Sequence, residues 1–307
     1  MSYTISVRSG FAEALEIIKE ADAVILTLGG KNGSGSIATM AEGVDGTDIN
    51  LPACQDAFIR QAASLGKPMI GVHFDGRPIS SDAADACLDA IVEAFTPAKY
   101  AAEAVVNVLT GKYNPSGKMP LTTARSAGQI PIYYNHPNGS AWHQGPSIGF
   151  SDYVDMPHTP RYCFGHGLSY TDFEYSDLQL ARRNVKPDEE LAICLKIKNT
   201  GEVSGTEVVQ LYLRDVQASM IRPVKELQGF IRVDLLPGEE KTICFSVKPD
   251  QMAFLDEDMR WLVEKGEIEV QIGSSSEDIR LKDSFIVTES AWIEGRDRRF
   301  YAKAEIM

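Results

Sequence analysis

The chain's 307 residues are 44% hydrophobic and 24% charged, an ordinary globular balance, and long enough for two domains of common size. Its 43 acidic against 30 basic side chains leave a formal charge of −13, which repels phosphate backbones and anionic lipid and argues against nucleic acid and membrane surfaces as partners. No stretch approaches the roughly 18 consecutive apolar residues of a membrane span, and Met1 to Gly10 carries no basic segment followed by an apolar core, so a cytoplasmic location is expected.

The first half alternates β-type apolar runs with helical patterns. Phe11 to Glu20 reads as helix, Ala23 to Leu28 as strand, Pro52 to Leu65 as helix and Pro68 to Phe74 as strand. A short helix near Asp82 to Leu88, a strand over Ala90 to Phe95 and a helix over Ala98 to Leu109 continue the series. Such alternation predicts βαβ units and a parallel sheet covered by helices. Proline opens the Pro52 helix, and Gly66 and Gly111 stop the second and last helices.

Beyond Asn114-Pro115-Ser116-Gly117 the texture changes. Ala124 to Gly167 is rich in Pro, Gly, Ser, His and aromatic residues with no sustained period, the mark of a functional or interdomain stretch. From Leu191 the period drops to two: Ile193, Leu195 and Ile197 alternate with Cys194, Lys196 and Lys198, and Ile243, Phe245, Val247 and Ile268, Val270, Ile272 repeat the pattern. Turn signals at Asn199-Thr200-Gly201, Leu236-Pro237-Gly238 and Lys265-Gly266 separate these runs, which predicts an antiparallel β-sandwich. The expected division is an α/β domain over 1–172, a sandwich over 173–288 and an extension over 289–307.

Cys54, Cys87, Cys163, Cys194 and Cys244 are odd in number, widely spaced and form no C-x-x-C pair; they read as buried reduced thiols, with neither a zinc site nor a disulfide expected. The loop Gly29-Gly30-Lys31-Asn32-Gly33-Ser34-Gly35-Ser36 follows a strand but fits neither phosphate-binding glycine pattern, so it reads as a flexible loop. His73, His136, His143, His158 and His166 lack metal spacing, and no G-x-S-x-G elbow accompanies them. Trp142, His143, Tyr133, Tyr134 and Tyr153 sit in the irregular stretch, where they either stack on sugar faces or fill a groove between domains. The carboxyl ends of parallel strands collect sites, which draws the eye to Met40 through Asp48. On chemistry alone, though, Glu42 is one of 43 carboxylates, and a solvated loop charge is the default reading.

Longer motifs are more specific. Glu42-Gly43-Val44-Asp45 with Leu51-Pro52-x-x-Gln55, then Gly111 to Pro120 (GKYNPSGKMP), Gly128 to His136 (GQIPIYYNH) and Phe164 to Thr171 (FGHGLSYT) resemble, in order, the signatures of glycoside hydrolase family 3. Asn199-Thr200-Gly201, Val208 to Tyr212, Arg222 to Leu227 and Leu236 to Glu239 are similar to the fibronectin type III-like, immunoglobulin-like sandwich that closes many members.

The resemblance implies a retaining β-glycosidase of β-glucosidase or β-xylosidase type. In such proteins a (β/α)8 barrel supplies an aspartate nucleophile and the α/β domain supplies the acid/base, here Glu42. Asp45, Trp142, His143 and Tyr153 are the implied substrate contacts, Asp45 being also the alternative acid/base. The barrel and the opening strands of the α/β domain are expected to be absent, so the chain alone would be catalytically incomplete. A barrel-bearing chain or a second copy is then the expected partner, beside a β-glycoside or oligosaccharide substrate. No cofactor or metal is expected, since two carboxylates suffice. Two departures from the pattern stand out: Gly46 replaces the arginine after Asp45, and Thr96-Pro97-Ala98-Lys99-Tyr100 replaces a glycine-rich turn. The competing readings are a non-catalytic carbohydrate-binding or scaffold protein and an inactive fragment.

Overall fold

The structure, a computed structural model, describes residues 2–30, 47–139 and 152–307. It comprises two compact units, one made of residues 1–110 and 123–130, the other of residues 111–122 and 131–307.

The first unit is α/β. In chain order it contains α1 (Ser2–Glu20), β1 (Val24–Leu28), α2 (Ala53–Ala63), β2 (Met69–His73), α3 (Asp82–Cys87), β3 (Ala90–Glu93) and α4 (Ala101–Leu109). The three strands form one parallel sheet in the order β1-β2-β3, with Leu28, His73 and Glu93 in register at their carboxyl ends. Ile59 and Ala62 of α2, Ala83 and Ala84 of α3 and Ile18 of α1 bury against Val24, Leu28 and Met69, forming the unit's core. Gly66, at φ +68°, turns the chain out of α2 as expected of a helix stop. The first helix reaches back to Ser2, nine residues before its expected start. The last begins at Ala101, after Tyr100, so Thr96 to Lys99 stay outside it.

The second unit is antiparallel. β4 (Phe173–Leu180), β5 (Asn184–Val185), β6 (Leu191–Asn199), β7 (Gly205–Asp215), β8 (Glu226–Leu235) and β9 (Glu240–Val247) are followed by β10 (Phe254–Leu255), β11 (Trp261–Val263), β12 (Gly266–Gly273), β13 (Ile279–Val287), β14 (Ala291–Ile293) and β15 (Lys303–Ile306). They make a five-stranded sheet, β5-β13-β12-β7-β8, a four-stranded sheet, β15-β9-β6-β4, and a small sheet, β10-β11-β14. Leu191, Ile193, Leu195 and Ile197 alternate inward along β6 and meet Ile243, Phe245 and Val247 of β9 and Ile268, Val270 and Ile272 of β12 in one core. The stretch 289–307, expected as an extension of the sandwich, is paired into it: β14 joins β11 and β15 joins β9.

β7 departs from alternation, being buried from Glu207 to Leu213 on both faces. Its outer face is covered by the irregular segments of the same unit. Tyr134 stacks on Phe164 at 4.4 Å and meets Tyr212 edge-on at 5.7 Å, Gln210 Nε2 donates to Ser274 O at 2.6 Å, and Lys118 pairs with Glu207 at 3.0 Å. Gly165 is obligatory here, because at φ +80° a Cβ would stand 2.3 Å from Gln210 Oε1.

The cysteine expectation is corrected. Cys194 of β6 and Cys244 of β9 stand directly opposite in the ladder and form a disulfide, while Cys54 is exposed and Cys87 and Cys163 are half-buried. Both bonded residues fall on the outward set of their strands, and the pairing register brings them together across 50 residues of sequence.

Candidate active site

The parallel sheet ends at an edge where backbone groups run out of ladder partners and side chains must take their place. Gly29 leaves β1 at φ +142°, and a Cβ there would lie 2.0 Å from Phe74 O, so only glycine lets the two strand ends approach this closely. Gln55, on the first turn of α2, grips this residue twice: its Oε1 accepts from Gly29 N at 3.0 Å and its Nε2 donates to Gly29 O at 2.8 Å. That gives a physical role to the glutamine of the Leu51-Pro52-x-x-Gln55 motif.

Asp75 leaves β2 as a buried brace. Its Oδ2 accepts from Gly30 N at 3.3 Å and its Oδ1 from Gly76 N at 2.8 Å, while its own N–H donates to Phe95 O at 3.0 Å. Burial holds the Asp75 carboxyl above the usual carboxylate range, the backbone N–H donors offsetting part of the rise. With both oxygens committed to backbone, Asp75 organises the edge rather than reacting at it. Nearby, Arg77 Nη2 donates to Asp48 O at 2.8 Å, and Asp48 Oδ1 accepts from Asn50 N and Nδ2 at 3.0 and 2.7 Å. Those Asn50 donors hold the Asp48 carboxyl below its ordinary value.

Leu51 is buried just beyond, and Ser81, whose Oγ caps α3 through Ala84 N at 2.9 Å, donates to Asp56 of α2 at 2.8 Å. One loop, Asp75 to Arg77, therefore ties down both Gly30 and Asp48, described residues that lie on either side of 31–46 in the sequence. In the sheet itself, His73 Nδ1 lies 3.5 Å from Glu93 Oε2, both largely buried, and His73 Nε2 has no hydrogen-bond partner among the described residues.

Glu42 and Asp45 lie in 31–46, and Trp142 and His143 in 140–151, all outside the described residues. Tyr153 is described: it belongs to the second unit, is partly exposed and packs edge-on against His158 with ring centroids 4.5 Å apart. Asp75, Arg77 and the His73–Glu93 pair were not singled out from the sequence. The available signal was position, since each follows or ends a predicted parallel strand.

The matches to known proteins agree with this arrangement. The glycosyl hydrolase family 3 C-terminal domain matches residues 4–170, and a fibronectin type III-like domain matches residues 207–276. A periplasmic beta-glucosidase of Salmonella typhimurium is 37% identical over 270 residues, which is 87% of this chain and 35% of that protein. A putative beta-xylosidase of Formosa agariphila is 36% identical over 279 residues, 90% of this chain and 36% of the relative. The crystal structure of a beta-glucosidase from Listeria innocua in complex with glucose superposes with a TM-score of 0.83 at 34% identity, covering 91% of this chain and 38% of that one. The chain thus spans about a third of the length of the curated relatives it matches.

Proposed function

Since the chain belongs to glycosyl hydrolase family 3, we propose that it is the C-terminal part of a retaining β-glycosidase, of β-glucosidase type, and that Glu42 is its acid/base. The observation that supports this reading is that Gly30 and Asp48, which flank residues 31–46 in the sequence, are both bonded by the Asp75–Arg77 loop at the carboxyl ends of the parallel strands.

Retention divides the work between two carboxylates about 5 to 5.5 Å apart. In this reading an aspartate from a barrel domain attacks the anomeric carbon, and Glu42 protonates the leaving oxygen. Glu42 then takes a proton from the water that releases the sugar. To be protonated near neutral pH, Glu42 needs burial or a neighbouring negative charge, and the barrel brings both. Asp45, Trp142, His143 and Tyr153 contact the sugar, and the reaction needs no metal or cofactor. The partners are a β-glycoside or oligosaccharide and the barrel portion.

The test is reconstitution. Mixing the chain with the barrel portion of a relative restores hydrolysis of an aryl β-glucoside, and Glu42→Ala abolishes the gain; unchanged hydrolysis in that variant refutes the assignment. On location, the Cys194–Cys244 bridge favours an oxidising compartment over the cytoplasmic placement expected from sequence. Alkylation in freshly lysed cells distinguishes them: three blocked cysteines indicate the oxidised form and five the reduced form.

A further inference from the structure

We propose that a cleft in the sandwich unit binds a neutral saccharide residue. The cleft has a volume of about 410 Å³, within the roughly 300–1,000 Å³ of small-molecule sites. Four chain segments meet in it: Tyr134–Asn135, the start of β8 with the turn before it, the Gln251–Trp261 stretch, and the run from Arg298 to Tyr301.

Two features give it sugar-binding chemistry. First, Phe300 and Tyr301 are each 65% exposed at its wall, although they are anchored: Ala302 N donates to Gln228 O at 2.6 Å, and β15 follows at once on β9. Beneath them, the Arg298 guanidinium lies 4.9 Å from the Phe300 ring and 4.5 Å from the Trp261 ring, and its Nη1 donates to Ala253 O at 2.9 Å. Flat apolar faces held in place this way suit the C–H face of a pyranose.

Second, both guanidinium groups of the cleft already make contacts, and several polar atoms around them do not. Arg222 is tied to Glu226 Oε2 at 2.9 Å and to Met252 O at 3.2 Å and lies over Phe254, while Arg298 is committed as above. Among the described residues, the side-chain amide of Asn135, Nε2 of Gln228, Oε1 of Glu226 and the Tyr301 hydroxyl have no hydrogen-bond partner. Together they offer donors and acceptors side by side, as vicinal hydroxyls require, while Nε of Arg222 and Nε of Arg298 are buried with no partner among the described residues.

This site goes beyond the proposed catalytic role and does not depend on it, because its readout is binding rather than hydrolysis. The experiment is calorimetric titration of the 307-residue chain with cellobiose and, separately, with glucuronate. The expected result is saturable cellobiose binding in the millimolar range. It weakens at least about tenfold in Tyr301→Ala and in Phe300→Ala and is unchanged in Trp292→Ala, whose exposed ring lies outside the cleft. All variants should keep the wild-type thermal midpoint. No saturable cellobiose heat, wild-type affinity in both aromatic variants, or binding of glucuronate alone would each overturn the proposal.

Discussion

The two units of this chain solve the burial problem differently. In the sandwich, strands of eight to eleven residues interleave Ile193, Leu195, Phe245, Val270 and Phe285 into one core, and a disulfide crosses β6 and β9. In the α/β unit, strands of four or five residues share a smaller core, α4 buries no residue, and Ile25 of β1 is 57% exposed. The contrast shows where each job sits: the sandwich carries stability in long ladders, while the α/β unit keeps its strand ends open and uses side chains to shape them. Under the reading proposed above, groups at that edge that meet a substrate cannot also be locked into a ladder.

The difference can be broken from either side. The largest effect is expected in the sandwich core, where Phe245→Ala removes a fully buried ring and should cost about 4 kcal/mol, read as a lower denaturant midpoint for that unit alone. Reducing the Cys194–Cys244 bond, or Cys194→Ser, should cost the same unit about 2–4 kcal/mol by freeing a loop of 50 residues, leaving hydrogen exchange in β1 to β3 unchanged.

On the other side, Asp75→Ala strands the Gly30 and Gly76 N–H groups and should cost the α/β unit about 2 kcal/mol without moving the sandwich transition. The sign of its pH dependence is fixed. Because the folded Asp75 carboxyl lies above its unfolded value, the folded state binds more protons. The α/β unit therefore loses stability as pH rises from the unfolded value through the raised folded one, and Asp75→Asn flattens that slope. Smallest is the α3 cap, where Ser81→Ala should cost about 1 kcal/mol, seen as faster exchange at Ala84 N–H.

Much of this was legible in the sequence, for reasons that differ by region. Strict alternation at Ile193, Leu195 and Ile197 can bury one face only as a strand, so the sandwich core could be read directly. Proline at residue 52 and glycine at 66 bracket α2 because each suits one end of a helix and disrupts its middle. The disulfide was not legible: Cys194 and Cys244 become neighbours only through the β6–β9 register, a tertiary fact.

The same holds for β15, whose Lys303-Ala304-Glu305-Ile306 looks solvent-facing until β9 offers it a ladder. The chain flanking the irregular stretch shows an order that has no readable period. Its order comes from side-chain bonds, the Asn114 amide accepting from Ser169 Oγ and Tyr170 N and donating to Ser204 O, and these follow no repeat. At the candidate site the motif pointed to Gln55, and the structure supplied the clamp on Gly29 that explains it.

The most direct test of the acid/base assignment is chemical rescue in the reconstituted enzyme. Using a dinitrophenyl β-glucoside, whose leaving group needs no protonation, Glu42→Ala should accumulate the glycosyl-enzyme and turn over slowly. Added azide should then restore turnover and yield the β-glucosyl azide with retained configuration, with no such product from Asp45→Ala. Azide product from Asp45→Ala instead, or wild-type turnover by Glu42→Ala without azide, would contradict the account.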